Sequence, residues 1–101
     1  MVRDITIGVL GAGLMGHGIA QDFASAGYSV VLHDISEERL SRARDLIQGN
    51  LQTMAEFHFA RSADSESVLS RVTMEKSLPA LVERCDYVVE AVVEDLRVKR
   101  A

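Results

Sequence analysis

An α/β fold, a parallel sheet doubly wound by helices on both faces, is predicted for this 101-residue chain by three features. Short apolar runs alternate with segments whose apolar residues recur every three or four positions, and right-handed crossovers turn that alternation into a parallel sheet. The first run ends in the glycine-rich turn Gly11-Ala12-Gly13-Leu14-Met15-Gly16. The second closes on a single acid, Asp34.

Residues 5–10, Ile-Thr-Ile-Gly-Val-Leu, form the first apolar run and read as a buried strand. From Leu14 to Ala26 the period changes: Met15, Ile19, Phe23 and Ala26 fall on one face of a helix, with Met15 directed into the core. Gly27 stands where a left-handed residue would stop that helix. Residues 28–33 are the second strand. Ser36 is an N-cap, and Glu37 and Glu38 put negative charge in the first turn of a helix over 37–56. Leu40, Ala43, Ile47, Leu51 and Met54 share its apolar face, Glu38 and Arg42 make a supporting pair, and Gly49-Asn50 weakens its middle. After a polar break at Arg61–Asp64 come a short helix over Ser65–Arg71 and a strand at Val72-Thr73-Met74. Ser77–Arg84 is a helix with Pro79 near its start, and Asp86–Val93 is an apolar strand around Glu90. Glu94–Ala101 reads as the start of another helix. The span from Asp34 to Val72 exceeds a minimal crossover and holds a helical excursion.

Hydrophobic residues at 48% and charged residues at 26% fit a soluble globular domain. A net charge of -4 without a basic stripe argues against nucleic acid as partner. Cys85 is the single cysteine, so no internal disulfide or CxxC pair forms, and it reads as a small apolar filler. His17, His33 and His58 share no ligand spacing and read as surface or packing residues, with no metal site implied. Met1-Val2-Arg3-Asp4 runs straight into the first strand without a signal peptide, and no apolar run nears the ~20 residues of a membrane span. A cytoplasmic protein with no membrane partner is the expectation.

The turn is a GxGxxG that follows a strand, opens a helix and lies in a βαβ unit, the arrangement that makes the pattern informative. Gly11 permits the tight turn, Gly13 lets a pyrophosphate approach the helix start, and Gly16 lets the helix lie close to the sheet, a contact Gly18 would extend. The free N–H groups there, with the positive end of the helix dipole behind them, suit a diphosphate. Asp34 stands about 20 residues downstream, where a carboxylate accepts the adenosine ribose hydroxyls and repels a 2′-phosphate, favouring NAD over NADP. Capping the helix from Ser36 is a compatible second role. Arg39 would suit a 2′-phosphate, but it lies in the helix and Asp34 opposes it. These features specify a Rossmann-type sheet, its N-terminal part only, of about four strands.

Residues 11–34, GAGLMGHGIAQDFASAGYSVVLHD, closely resemble the amino-terminal NAD-binding domain of the L-3-hydroxyacyl-CoA dehydrogenase family. The resemblance continues through Ile35-Ser36-Glu37-Glu38 and the long helix and returns at 86–99, DYVVEAVVEDLRVK. It implies an oxidoreductase of fatty acid metabolism that passes hydride from the 3-hydroxyl of an acyl-CoA to NAD. By the same resemblance, Gly11, Ala12, Gly13, Leu14, Met15 and Gly16 line the pyrophosphate and Asp34 holds the ribose. Ala91, Val92 and Glu94 lie along the cofactor toward the nicotinamide, and Lys99 matches a lysine near it. The region Asn50–Arg61 corresponds to the family's CoA contacts but carries Glu56 and few cations.

The family's histidine base, its glutamate partner and the serine and asparagine contacts to substrate match segments beyond residue 101, so no catalytic residue is assigned here. Residues 1–101 read as a partial domain, with its carboxy-terminal part and the helical dimerisation domain absent. The full-length protein is expected to be a homo-oligomer acting on acyl-CoA. A relative acting on gulonate or carnitine, or a non-catalytic NAD module, shares the same loop. In this partial sheet the strand at Tyr87–Val93 would be an uncovered apolar edge, and self-association of the chain is expected.

Overall fold

The computed structural model describes residues 4–57, 62–92 and 95–100. In chain order the elements are β1 (Thr6–Leu10), α1 (Leu14–Ser25), β2 (Ser29–His33), α2 (Glu37–Glu56), α3 (Ser62–Ser70), β3 (Val72–Glu75), α4 (Leu78–Arg84), β4 (Tyr87–Val92) and β5 (Asp95–Arg100). They build a five-stranded sheet in the order β3-β2-β1-β4-β5. The first four strands are parallel, and β5 runs antiparallel to β4. The winding of the sheet reverses at β1, so its two neighbours, β2 and β4, are reached by crossovers on opposite faces.

Alternation along the strands divides the core between the two faces. Ile7 and Val9 of β1, Val30 and Leu32 of β2 and Val89 of β4 are buried with Ala20 and Ala24 of α1 and with Leu40, Ala43, Ile47 and Leu51 of α2. On the other face Val31 and Val88 meet Leu81 of α4 and Cys85, with Leu10 alongside. Gly8 makes that second layer thin: a Cβ there would come 2.8 Å from Leu81 Cδ2 and 3.0 Å from Cys85 Sγ. Burial pushes the Cys85 thiol up, and Asp86 adds to the shift against the opposing charge of Arg84, so Cys85 is an un-ionised filler.

Local signals end and start the helices as expected. Gly27, at φ 97°, closes α1, with the Gly27 N–H donating to Ala24 O and the Tyr28 N–H to Phe23 O, both at 3.1 Å. The rings of Phe23 and Tyr28 pack edge to face at 5.7 Å, completing the hydrophobic contact that accompanies this C-terminal motif. Ser36 accepts the Arg39 N–H at 3.2 Å and caps α2, and Ser77 caps α4 in the same way through Ala80.

Several expectations are corrected. The buried face of α1 is Gly16, Ala20 and Ala24 with His17 and Gln21, while Met15 is 43% exposed and Ala26 is exposed. The helix lies directly on the sheet, so small side chains take the inner face and Ile19 and Phe23 flank it, half-buried. Gly18 faces open space and extends no contact. Gly49-Asn50 does not interrupt α2; the Asn50 amide instead donates to Gln21 Oε1 at 3.0 Å and ties α2 to α1. Glu38 and Arg42 form no ion pair among the described residues.

The segment expected to begin a helix at Glu94 is strand β5 over Asp95–Arg100, paired along β4 from Val92↔Asp95 to Tyr87↔Arg100. Leu96 and Val98 alternate with charged residues, a period of two that suits a strand. Because β5 covers it, β4 is not the uncovered edge that was expected to drive self-association. His58 and Glu94 lie outside the described residues.

Candidate cofactor-binding site

The carboxyl end of β1 passes into the glycine turn without losing its backbone pairing. The Gly11 N–H donates to His33 O at 2.8 Å, extending the β1–β2 ladder by one step. Gly11 then adopts φ 97°, a left-handed value that favours glycine, and a Cβ there would stand 2.7 Å from Ala91 O. A Cβ on Gly16 would land on the Gly11 carbonyl oxygen and 3.7 Å from the Ala91 Cβ. The turn is therefore folded tightly against the end of β4.

Gly13 is the N-cap of α1 and offers no side-chain acceptor to the first-turn N–H groups. Nothing lies within 4 Å of the place a Gly13 Cβ would take, and Leu14 beside it is 85% exposed. The helix start is thus bare, open and electropositive. His17, buried one turn on, holds this start from behind: its backbone N–H donates to Gly13 O at 3.0 Å and its Nδ1 lies 3.0 Å from the same oxygen. Sequence reasoning placed His17 only as a surface or packing residue; its contact with the loop depends on which way the ring turns.

Asp34, 8% exposed at the end of β2, points into the turn rather than away from it. Its Oδ2 accepts the Ala12 N–H at 3.1 Å and its Oδ1 accepts the Ser36 N–H at 2.9 Å. Arg39 Nε lies 3.2 Å from Oδ1. Burial alone would raise the Asp34 pKa, but the Ser36 and Ala12 N–H groups, with Arg39 and His33 close by, outweigh it and hold the carboxyl below the usual aspartate value. A carboxylate is thereby fixed at neutral pH beside the bare helix start.

The residues assigned to the site are brought together in part. The turn from Gly11 to Gly16 and Asp34 lie at the carboxyl ends of β1 and β2, joined by the Ala12–Asp34 bond. Ala91 closes it from β4, and Val92 is the last residue of that strand. Lys99 pairs with Val88 in the β4–β5 register, four residues from the Val92 end, and stands apart from this group. Ile35, 78% exposed next to Asp34, is an apolar surface the sequence reading passed over. The donors, the space over Gly13 and the pinned carboxylate fit the diphosphate and ribose of a dinucleotide. They sit at the β1/β4 switch point, where doubly wound sheets bind ligands. Among the described residues no helix is long and apolar enough to cross a membrane, and no cluster of His, Cys, Asp and Glu is arranged for a metal.

Known proteins are similar to this chain. The family described as 3-hydroxyacyl-CoA dehydrogenase, NAD binding domain, matches residues 6–101. The chain is 40% identical over 94 residues to a 3-hydroxybutyryl-CoA dehydrogenase of Bradyrhizobium diazoefficiens, covering 93% of this chain and 32% of that protein. It is 38% identical over 104 residues to the mitochondrial hydroxyacyl-coenzyme A dehydrogenase of Sus scrofa, covering 98% of this chain and again 32% of the relative. The crystal structure of (S)-3-hydroxybutyryl-CoA dehydrogenase from Ralstonia eutropha superposes with a TM-score of 0.84 at 34% identity, over 91% of this chain and 32% of that one. The chain thus spans about a third of the length of the relatives it matches. Its glycine turn, its sheet order and the match over residues 6–101 agree: the chain belongs to the 3-hydroxyacyl-CoA dehydrogenase family and carries its NAD-binding domain.

Proposed function

We propose that the bare start of α1 holds the diphosphate of NAD through the N–H groups of Gly13, Leu14, Met15 and Gly16, while Asp34 accepts the adenosine ribose hydroxyls. Ile35 offers its exposed face to the adenine, and Ala91 and Val92 border the nicotinamide half. Bound NAD supplies the hydride acceptor. The residues of this chain bind and orient it, and none is assigned a proton-transfer role. In the longer protein, Glu94 would border the nicotinamide half, following segments would supply the base, and the substrate would be a 3-hydroxyacyl-CoA oxidised to the 3-ketoacyl-CoA. A cytoplasmic homo-oligomer of fatty acid metabolism completes this reading.

One observation carries the cofactor geometry: the 3.1 Å bond from the Ala12 N–H to Asp34 Oδ2 joins residues 22 apart at the ends of adjacent strands. Gly13→Val tests the placement of the diphosphate, because a Cβ there meets no protein atom within 4 Å and enters the space assigned to that group. The expected result is a helical circular-dichroism signal close to the wild type, with NADH affinity reduced at least about tenfold, a loss of about 1.4 kcal/mol. Undiminished NADH binding by a folded Gly13→Val chain contradicts the placement.

A further inference from the structure

Resting on the cofactor reading of Asp34, a second charged residue takes part in cofactor choice. Arg39 stands in the first turn of α2 with Nε 3.2 Å from Asp34 Oδ1, its side chain 59% exposed against 10% for the carboxylate. A pair so open to water adds little to stability, so folding gives no strong reason for it. What it does is set a positive charge against the carboxylate assigned to the ribose: Oδ1 accepts the Ser36 N–H and faces Arg39 Nε at 3.2 Å, while Oδ2 accepts the Ala12 N–H.

We propose that Arg39 is a cofactor-specificity residue. A 2′-phosphate draws the guanidinium onto itself, so the chain tolerates NADP better than Asp34 alone would allow. A lone acid at the end of β2 repels a 2′-phosphate. A guanidinium already within reach of that acid offers the phosphate forked, charge-assisted hydrogen bonds and screens the repulsion. The other charges facing this spot do not tie Arg39 elsewhere. Exposed Glu37 is 3.8 Å from Lys76 Nζ, and Glu38 makes no ion pair among the described residues. His33 contacts the Lys76 carbonyl oxygen through Nε2 at 3.2 Å. Lys76 itself adds positive charge just past the end of β3.

Fluorescence titration of the 101-residue chain with NADH and with NADPH decides the matter. Arg39→Ala is expected to weaken NADPH binding about tenfold or more, the value of one charge-assisted hydrogen bond to phosphate. NADH binding should stay within about fivefold, the most an exposed ion pair is ordinarily worth, and the melting temperature should hold. Arg39→Lys, which keeps the charge but loses the fork, should fall between. If wild-type chain binds NADH but Arg39→Ala leaves the NADPH-to-NADH ratio unchanged, or shifts it toward NADPH, the specificity role is overturned and the cofactor reading stands. If wild-type chain binds neither nucleotide, the cofactor reading fails and the role of Arg39 fails with it.

Discussion

Gly16→Val is expected to abolish NADH binding and to lower the stability of the chain by about 3 kcal/mol or more, at the upper end of overpacking costs. The reason is that its Cβ has nowhere to go. It would fall on the Gly11 carbonyl oxygen, a backbone atom with no rotamer to escape into. Gly11 cannot retreat either, since its N–H is bonded to His33 O at 2.8 Å and its α-carbon already faces Ala91 O. Accommodating the side chain therefore pulls α1 away from the ends of β1 and β4 together, and with it the N–H groups assigned to the diphosphate. A melting-temperature drop of about 12–24 °C is the expected reading for a domain of this size. Gly18→Ala is the control: it faces open space within the same helix, and alanine there should leave stability unchanged or raise it by up to about 1 kcal/mol. Equal behaviour of the two variants would contradict the tight packing assigned to Gly16.

Asp34→Ala is expected to reduce NADH affinity about a hundredfold, because the two charge-assisted hydrogen bonds assigned to the ribose are lost together. The same substitution should relax discrimination against NADPH by removing the repelling charge. Asp34→Asn isolates the charge from the side chain's size and gives a pH signature. The folded carboxyl lies below the usual aspartate value, so its contribution to stability is fully present above the unfolded pKa of about 3.9 and is lost as pH falls through the lower folded value. The stability gap between wild type and Asp34→Asn, measured by urea unfolding, should be constant from pH 8 to 5 and close below about pH 4. A gap that grew with acidity would mean that the carboxylate is strained rather than held by the Ala12 and Ser36 N–H groups.

Much of this architecture was legible because its signals are local. Ser36, Gly27 and the apolar run within 28–33 each act within a few residues, and α2 runs over Glu37–Glu56 as its caps and periodicity indicate. The spacing of Asp34 from the glycine turn was readable for the same reason: strand and turn lengths leave few places for the end of β2. What was misread depends on partners distant in the chain. The inner face of α1 is chosen by closeness to the sheet, which rewards Gly16, Ala20 and Ala24 over the bulkier Met15. Gly8 matters only because Leu81 and Cys85 arrive on it from α4. Strand β5 exists through its pairing with β4, and its short run of alternating residues is ambiguous until that partner is in place. Arg71 caps the end of α1 by donating from its Nη1 to Ala24 O at 2.8 Å, across 47 residues that no periodicity bridges. The Arg39–Asp34 contact was not anticipated: Arg39 was read only as a residue whose suitability for a 2′-phosphate Asp34 counteracts, whereas its Nε lies 3.2 Å from Asp34 Oδ1.

The most direct test is an amide NMR titration of the chain with NADH. The account predicts that the largest shifts fall on Ala12, Gly13, Leu14, Met15 and Gly16, with Ser36 following as the Asp34 carboxylate takes up the ribose. Shifts centred instead on the groove between α2 and α3, at Gln48, Leu51 and Leu69, with the glycine-turn amides unmoved, would contradict it.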